Sequence, residues 1–514
     1  MSASMLVIFF TIACAMTELG HSQSDYLVSL GEDGKLVYKV MPNLDRIMDF
    51  SAVGYGGKDL PLPDVPVNIT LTPLGEGLDD TEQIQAAIDK VSELPLDPNG
   101  LRGAVKLLPG IFNVGNATIN ITATGVSLKG SGTATILNAH GLSANLLFLI
   151  GQAGEVTGNG NASKITNTVP SGTNELIVED VGQFNVGDLV LVTWPWTMGW
   201  IKMMNMTQYW TTNQAYSFST VERTVIATSR SSNQLTLDIP LPFRIDQQYL
   251  GDADKDGMVA TVMKIQLPVP GRISNVGIQD LRAVKDATTN FNVSGSFAGL
   301  LNVEDGWISN VGVQDFGGSL INLELGVQAS IWINNSKQVT LQQLNLTRTI
   351  PAPSAGHTPK PFDIDLHRPV QQVLVKECFV LGDNEYSLIP DDGISGPNVF
   401  FNCTLLGNNH VQPHAHFATG LLYDNINVPD GSIDLLNRGA AGTGQGFAIG
   451  YGIVYHSNSS VLNIEAPLGA FNLAIGCNAS IVNPTLPNTT GLITSMDPRI
   501  PSLFVAQRHQ AGLR

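Results

Sequence analysis

Apolar positions recur along this chain in short alternating runs, each closed by a cluster of Gly, Asn, Asp or Pro. Two runs are near copies, ISNVGIQDL from Ile273 to Leu281 and ISNVGVQDF from Ile308 to Phe316. Weaker echoes follow: VTLQQLNLT from Val339, VLVKECFVLG from Val373, VFFNCTLLG from Val399, GLLYDNINV from Gly420 and GIVYHSNSS from Gly452. Such runs predict short strands, and the clusters between them supply turns and break helices. Their starts lie roughly 22 to 35 residues apart, the length of one coil of a parallel β-helix and too irregular for stacked helix pairs. The expected fold is therefore all-β, a right-handed parallel β-helix, its hand taken from the rule for parallel crossovers.

Other stretches break this pattern. After a Gly/Pro-rich wrap containing DFSAVGYGGKDLPLPDVPV, the run DDTEQIQAAIDKVSEL places Ile84, Ala87, Ile88 and Val91 on one helical face, with Asp80 or Thr81 able to cap its start. This helix is the expected lid on the open N-terminal end of the solenoid. From Ser171, NELIVEDVGQFNVGDLVLVTW and RTVIATSRSSNQLTLDIPLPF look like antiparallel strands of an inserted β subdomain. Between them, Trp194, Trp196, Trp200 and Trp210 crowd together with Tyr209. Flat aromatic faces suit stacking on sugar rings, so these four are candidate substrate-binding residues; the alternative is that they form the insertion's own core or pin it to the solenoid. The expected divisions are a signal peptide at 1–22, the wrap, helix and first coils at 23–165, the insertion at 166–250, the main coils at 251–490 and a C-terminal tail at 491–514.

Composition sharpens the class. With 43% hydrophobic and 14% charged residues the chain is not disordered. The apolar run Met5 to Met16, followed by TELGHSQS, reads as a secretory signal that is too short to span a bilayer. A secreted, extracellular location follows as an expectation. Sequons at Asn68, Asn116, Asn120, Asn161, Asn205, Asn292, Asn334, Asn345, Asn402, Asn458, Asn478 and Asn488 agree with a glycoprotein, although Asn is also common in β-helix turns. Cys14 would leave with the signal. Cys378 and Cys403 hold matching places in KECFVLGDN and FNCTLLGNN, so they should stack, either as a disulfide between coils or as two buried thiols, with Cys477 left in the core. A net charge of −17 excludes nucleic acid and anionic membranes as natural partners, and it would repel a polyanionic glycan unless a cation intervened.

The candidate chemistry lies late in the chain. HVQPHAH sets His414 and His416 two residues apart near His410, on one side if the segment is an extended strand. Asp424 and Arg438 follow within about a coil. In a polysaccharide lyase a base takes the proton α to a uronate carboxylate while a cation stabilises the developing charge. His414 or His416 would be that base, with Tyr423 as acid and Arg438 or Ca²⁺ as electrophile. A histidine's ordinary pKa of about 6.5 suits the role. The same two histidines could coordinate Zn²⁺, but no third ligand stands out. Asp391 and Asp392, with Asp363, Asp365, Asp383 and Glu385 nearby, offer paired carboxylates for glycoside hydrolysis, provided that the chain turns at Gly393. DADKDG places Asp252, Asp254 and Asp256 at the spacing of a Ca²⁺ loop, but Met263 stands where the bidentate acid would be.

The stretches DDTEQIQAAID and GAVKLLPGIFNV, followed by the coils, resemble the pectate-lyase superfamily of secreted β-helix proteins. HVQPHAHFATGLLYDNI, NRGAAGTGQGFAIG and PSLFVAQ resemble a subgroup of it without a settled activity. The resemblance runs from about Asp49 to the C-terminus. His414, Thr419, Gly420, Tyr423, Asp424, Asn437, Arg438 and Gly444 match that subgroup. This chain departs from it at Asn384 and Glu385, at His416 and Phe417, and at Gln445 and Phe447, on either side of Gly446. The resemblance implies a secreted β-helix; the fold, its long lateral face and the tryptophan cluster then lead to the expectation of a protein that binds an extracellular polysaccharide, with cleavage of a uronate-containing chain by β-elimination as its expected reaction. The alternatives are a non-catalytic matrix or biomineral-associated structural glycoprotein and, third, a glycoside hydrolase.

Overall fold

An alternating strand can be closed off on its inner face only by the strands above and below it, and here they form coil after coil. The computed structural model describes residues 26–140, 146–213, 217–251, 257–285, 295–317, 329–349, 362–382, 386–442, 444–482 and 490–513. The expected signal with Cys14, the acids Asp252, Asp254, Asp256, Asp383 and Glu385, residue Asn384, and the sequons Asn292 and Asn488 lie outside these residues.

One parallel stack starts with Val67–Leu71, Gly103–Leu107 and Val126–Lys129 and continues through Ile273–Lys285, Val303–Gln314 and Lys337–Gln342. It goes on through Val373–Lys376, Ser395–Phe401, Ala418–Asp424, Gly452–Tyr455 and Asn472–Ile475 to Leu492–Thr494. A second stack runs from Leu146–Gly151 through Ser296–Leu301, Ala329–Asn334, Phe362–His367 and Tyr386–Asp391 to His410–Val411. The fold is the expected right-handed parallel β-helix. Its core is a set of columns: Leu128, Ile278, Ile308, Leu341, Val375, Phe400, Tyr423, Val454 and Ala474 lie one above the next, all buried. Burying each large apolar member stabilises the stack by roughly 1.5–3 kcal/mol.

The near copies stack differently from what their similarity suggests. Ile308, which opens the second copy, lies on Ile278 and not on Ile273. What the copies share is the spacing of left-handed corners, at Asn275 and Asp280 in one and Asn310 and Asp315 in the other. Asn and Asp tolerate positive φ better than other side chains, hence their enrichment at the bends. The sequon residues Asn205 and Asn402 are themselves such corners. Asn68, Asn116, Asn161, Asn345 and Asn478 are also exposed, whereas Asn120, Asn334 and Asn458 are half-buried.

Helix α1 (Thr81–Ser92) covers the N-terminal end and buries Ile84, Ala87, Ile88 and Val91 in the solenoid core. Asp80 is its N-cap residue, but its carboxylate accepts from Leu74 N and Asn113 N and does not cap the helix.

Between Gly151 and Ile273 the chain leaves the solenoid to build an antiparallel sheet, ordered Gly158–Lys164, Thr261–Ile265, Leu189–Pro195, Phe218–Ser229, Gln234–Leu237, Glu175–Ile177. It extends the insertion beyond 166–250 at both ends. Helix α2 (Met198–Met203) starts at Thr197, whose hydroxyl accepts from Trp200 N. Along Leu189–Pro195 every second residue is buried, so Val190, Val192 and Trp194 face the insertion's core while Leu191 and Thr193 face outward.

The sugar-stacking expectation for Trp194, Trp196, Trp200 and Trp210 is corrected here, because all four rings are buried at 0–5% exposure. They surround Phe417 of the solenoid, with ring centroids 5.1 Å away for Trp200, 6.0 Å for Trp196, 6.3 Å for Trp210 and 6.5 Å for Trp194. The cluster therefore pins the insertion to the coils.

The disulfide expectation is corrected too. Cys378, Cys403 and Cys477 are free thiols. Cys378 and Cys403 do stack, since Phe379 pairs with Thr404, but neighbouring strands hold side chains about 4.7–4.9 Å apart and parallel, which is wide for a bridge. Each sulfur instead contacts a backbone carbonyl, Lys376 O at 3.3 Å and Phe401 O at 3.4 Å.

At the C-terminus, helix α3 (Leu503–Gln510) lies across the first stack, capped by Ser502. Among the described residues no helix is long and apolar enough to cross a membrane.

Candidate functional site

The second stack ends in polar residues at its C-terminal edge, and register places them in rows. Asn334 pairs with His367 and His367 with Asp391. On the next coil, His414 N bonds to Pro390 O and its Nδ1 lies 3.0 Å from Asp391 Oδ1. Asp392 and Gly393 take positive φ, so the chain turns between the two acids, as paired carboxylates would require. The turn has a different result: Asp392 reaches His416, with 2.9 Å between Oδ1 and Nδ1, and Arg368 at 3.8 Å. A row of acids thus lies between two rows of bases.

His414 and His416 do not share a strand face. His416 and Phe417 both have positive φ, so the segment bends and sends each histidine to its own aspartate. This also separates the two histidines considered as zinc ligands, and among the described residues no group of three or more His, Cys, Asp or Glu could hold a metal ion.

Arg438 does join His414. Its Nε donates to Gln445 Oε1 at 2.6 Å, and Gln445 Nε2 lies 3.0 Å from His414 Nε2. Arg438 also donates to Gln412 and, at 3.1 Å, to the Tyr386 hydroxyl. All of these partners are neutral, so Arg438 has no carboxylate partner among the described residues. With Asp391 on Nδ1, the tautomer that satisfies both contacts has the proton on Nδ1 and a lone pair on Nε2. Phe362 and Tyr386 flank the imidazole at ring distances of 5.5 and 5.8 Å.

The acids are held apart in charge. Burial pushes Asp391 upward, but the charge and hydrogen bond of His414 and the charge of His367 outweigh it and bring its pKa down to about 2. Asp365 is raised well above the usual carboxylate range, by burial first and then by the charges of Asp391 and Asp392. Its Oδ1 and Trp332 Nε1, on adjacent coils, are buried without a hydrogen-bond partner among the described residues.

Tyr423 and Asp424 are not in this site, which corrects two catalytic expectations. Both lie on Ala418–Asp424, past the corner and in the first stack. Tyr423 points into the core, stacked on Phe400 with centroids 5.0 Å apart, and burial raises its hydroxyl far above the ordinary value. Asp424 points outward beneath α3 and accepts from Ser502 Oγ at 2.8 Å and Phe504 N at 2.7 Å. Its burial lifts the carboxyl to about 7.

Beside the rows a cleft of about 530 Å³ opens between solenoid and insertion. Asn334, Asn335, Arg368 and Asp392 line one wall and Thr193, Phe218 and Thr220 the other. The sequon residue Asn334 thus lines the cleft, and its Nδ2 donates to Arg368 O at 3.1 Å. Tyr386, Gln412, Arg368 and Phe218 escaped the sequence reading because each reaches the site from a different coil or from the insertion, and Gln445 stands out in the chain only as a departure from the resembled subgroup. Asp391 and Asp392 were visible there as acids one coil below the histidines.

Fold and site define a parallel β-helix protein with a polar lateral edge and an adjoining cleft. No protein-family profile matches the chain, and no curated protein matches it. Among solved structures, one similar fold is a tailspike of E. coli bacteriophage HK620 in complex with a pentasaccharide, at 10% identity over 90% of this chain and 62% of that one, TM-score 0.43. Another is tailspike gp61 of Pseudomonas phage phi297, at 11% identity over 82% and 68%, TM-score 0.35. A third is PfbA, a surface adhesin of Streptococcus pneumoniae, at 8% identity over 83% and 89%, TM-score 0.35. This likeness concerns the β-helix fold and says nothing of ligand or reaction.

Proposed function

We propose that the protein binds an extracellular polysaccharide along this edge and cleaves a uronate-containing chain by β-elimination, in keeping with its resemblance to the pectate-lyase superfamily. The observation that carries this reading is Arg438, a cation with only neutral partners, linked through one glutamine to a histidine held by an aspartate. A uronate displacing Gln445 would set its carboxylate against Arg438 and its α-hydrogen against His414 Nε2. His414 takes that proton, the electron pair forms the new C=C bond, and the bond to the leaving oxygen breaks. Tyr386, held by Arg438, supplies the proton to that oxygen and replaces Tyr423 as the acid. Asp391 keeps the imidazole in the required tautomer and stabilises the imidazolium. The local positive charge of Arg438 answers the objection that so acidic a chain would repel a polyanion. A secreted location, expected from the N-terminal apolar run, suits such a substrate.

Hydrolysis by two carboxylates has less support, since Asp391 and Asp392 are each tied to a histidine and Asp365 is closed off from solvent. The test is incubation with a panel of uronate and neutral glycans, following absorbance of the unsaturated product and, separately, new reducing ends. His414→Ala should lower product formation by roughly 10²–10⁴-fold. Reducing ends without the absorbance would replace elimination by hydrolysis. Glycan binding with no product would leave a binding or matrix protein.

A further inference from the structure

The cleft beside the catalytic edge has a different chemistry from the edge itself. Two of its three lining acids are already paired within the protein. Glu222 is bonded by Arg272 at 2.8 Å and Lys337 at 3.0 Å; burial would raise it, but these cations bring it down to about 2. Asp392 is taken by His416 and Arg368. Glu155 is the one lining acid with no ion pair among the described residues, and Arg368 is the one lining cation. Nothing here favours a polyanion.

What remains open is neutral and hydrogen-bonding. Thr193 and Thr220 stand opposite each other on antiparallel strands, and neither hydroxyl has a partner among the described residues. Asn334 and Asn335 line the facing wall; their amide nitrogens are bonded to Arg368 O and Gly154 O, so it is their amide oxygens that are left to accept, and Leu191 and Val156 add a small apolar patch. Phe218 is 42% exposed at the rim. The Arg368 guanidinium lies over its ring at 5.3 Å from the centroid and holds it at the cleft. Hydroxyls, amides and one held aromatic face in a cleft of small-molecule size match an uncharged sugar.

We propose that this cleft is a subsite for an uncharged sugar, with Phe218 as the stacking face and Thr193, Thr220, Asn334 and Asn335 as the polar rim. Asn334 lines the cleft and stands in register with His367 and Asp391 of the catalytic row, so the two sites adjoin and one glycan can occupy both. The preferred substrate then combines uronate with neutral units and is not a pure polyuronate. This rests on the β-elimination reading for the uronate half only.

The test is titration calorimetry of the full chain with neutral trisaccharides of glucose, galactose, mannose and N-acetylglucosamine, and with a galacturonate trimer. At least one neutral trimer should bind, and Phe218→Ala should weaken it about tenfold while leaving the galacturonate trimer unchanged. Thr220→Val, which keeps the side-chain shape, should weaken the neutral trimer a few-fold. No binding of any neutral trimer, or equal affinity in the parent and both variants, would overturn the subsite. Because the readout needs no turnover, neutral binding without any unsaturated product keeps the subsite and rejects elimination. Product formation from mixed glycans with KM unaffected by Phe218→Ala does the reverse.

Discussion

The insertion and the solenoid are both built from alternating strands, yet they place function in opposite ways. In the insertion, neighbours along one strand part company: Trp194 enters the core while Thr193 lines the cleft. In the solenoid, residues far apart in sequence are brought together by register, as Asn334, His367, Asp391 and His414 are. Conspicuous residues close in sequence therefore need not form a binding site: the two histidines go to separate aspartates, and the four tryptophans form a buried cage. The tryptophans serve Phe417, which directly follows His416, so the insertion's core positions the corner that carries the second Asp–His pair.

The strongest way to break this contrast is Phe417→Ala. Emptying the tryptophan cage should cost about 3–5 kcal/mol in denaturant unfolding and expose the insertion to limited proteolysis while the remaining coils stay resistant. If both regions unfold together with no early cleavage, the cage is not the link between them. Asp391→Ala addresses register: it should cut product formation roughly 10²-fold and also lower the melting temperature, since the ionised carboxylate contributes stability, whereas Asp392→Ala, which frees His416, should act mainly on ligand binding. Equal losses of turnover from both would merge the two pairs into one unit.

Smaller effects test the first stack. Ser502→Ala removes the α3 cap and should cost about 1 kcal/mol. Asp424 adds a pH dependence whose sign is opposite to that of Asp391. With its folded pKa raised to about 7, Asp424 keeps a proton that the unfolded chain gives up near about 4. Its contribution is full below that lower value and is lost as pH rises to 7, and Asp424→Asn should flatten stability across this window. Asp391, lowered to about 2, contributes above about 4 and loses its effect as pH falls towards 2. Smallest of all, a reducing agent should leave the melting temperature unchanged, because the stacked thiols are not bridged. A measurable drop would restore the Cys378–Cys403 disulfide.

Much of this architecture was legible in the chain. Period-two runs with Asn, Asp and Gly corners specify stacked strands, since only such a stack closes off their apolar faces. The face Ile84, Ala87, Ile88 and Val91 specifies a lid helix in the same local way. His414 and Arg438 stood out in the chain as candidate chemistry, and Gln445 links them. What local pattern could not supply was the position of the corners. Positive φ at Asp392, His416 and Phe417 sends adjacent residues to separate partners, and Tyr423 and Asp424 fall past that bend. Nor could it say which face of the inserted strands turns inward, because alternation gives two faces and only docking against Phe417 chooses between them. The residue sequence by itself determined the coil and its lid; tertiary packing decided the site, because side chains there become neighbours through coil-to-coil register and a docked insertion, neither of which is written in any single run of residues.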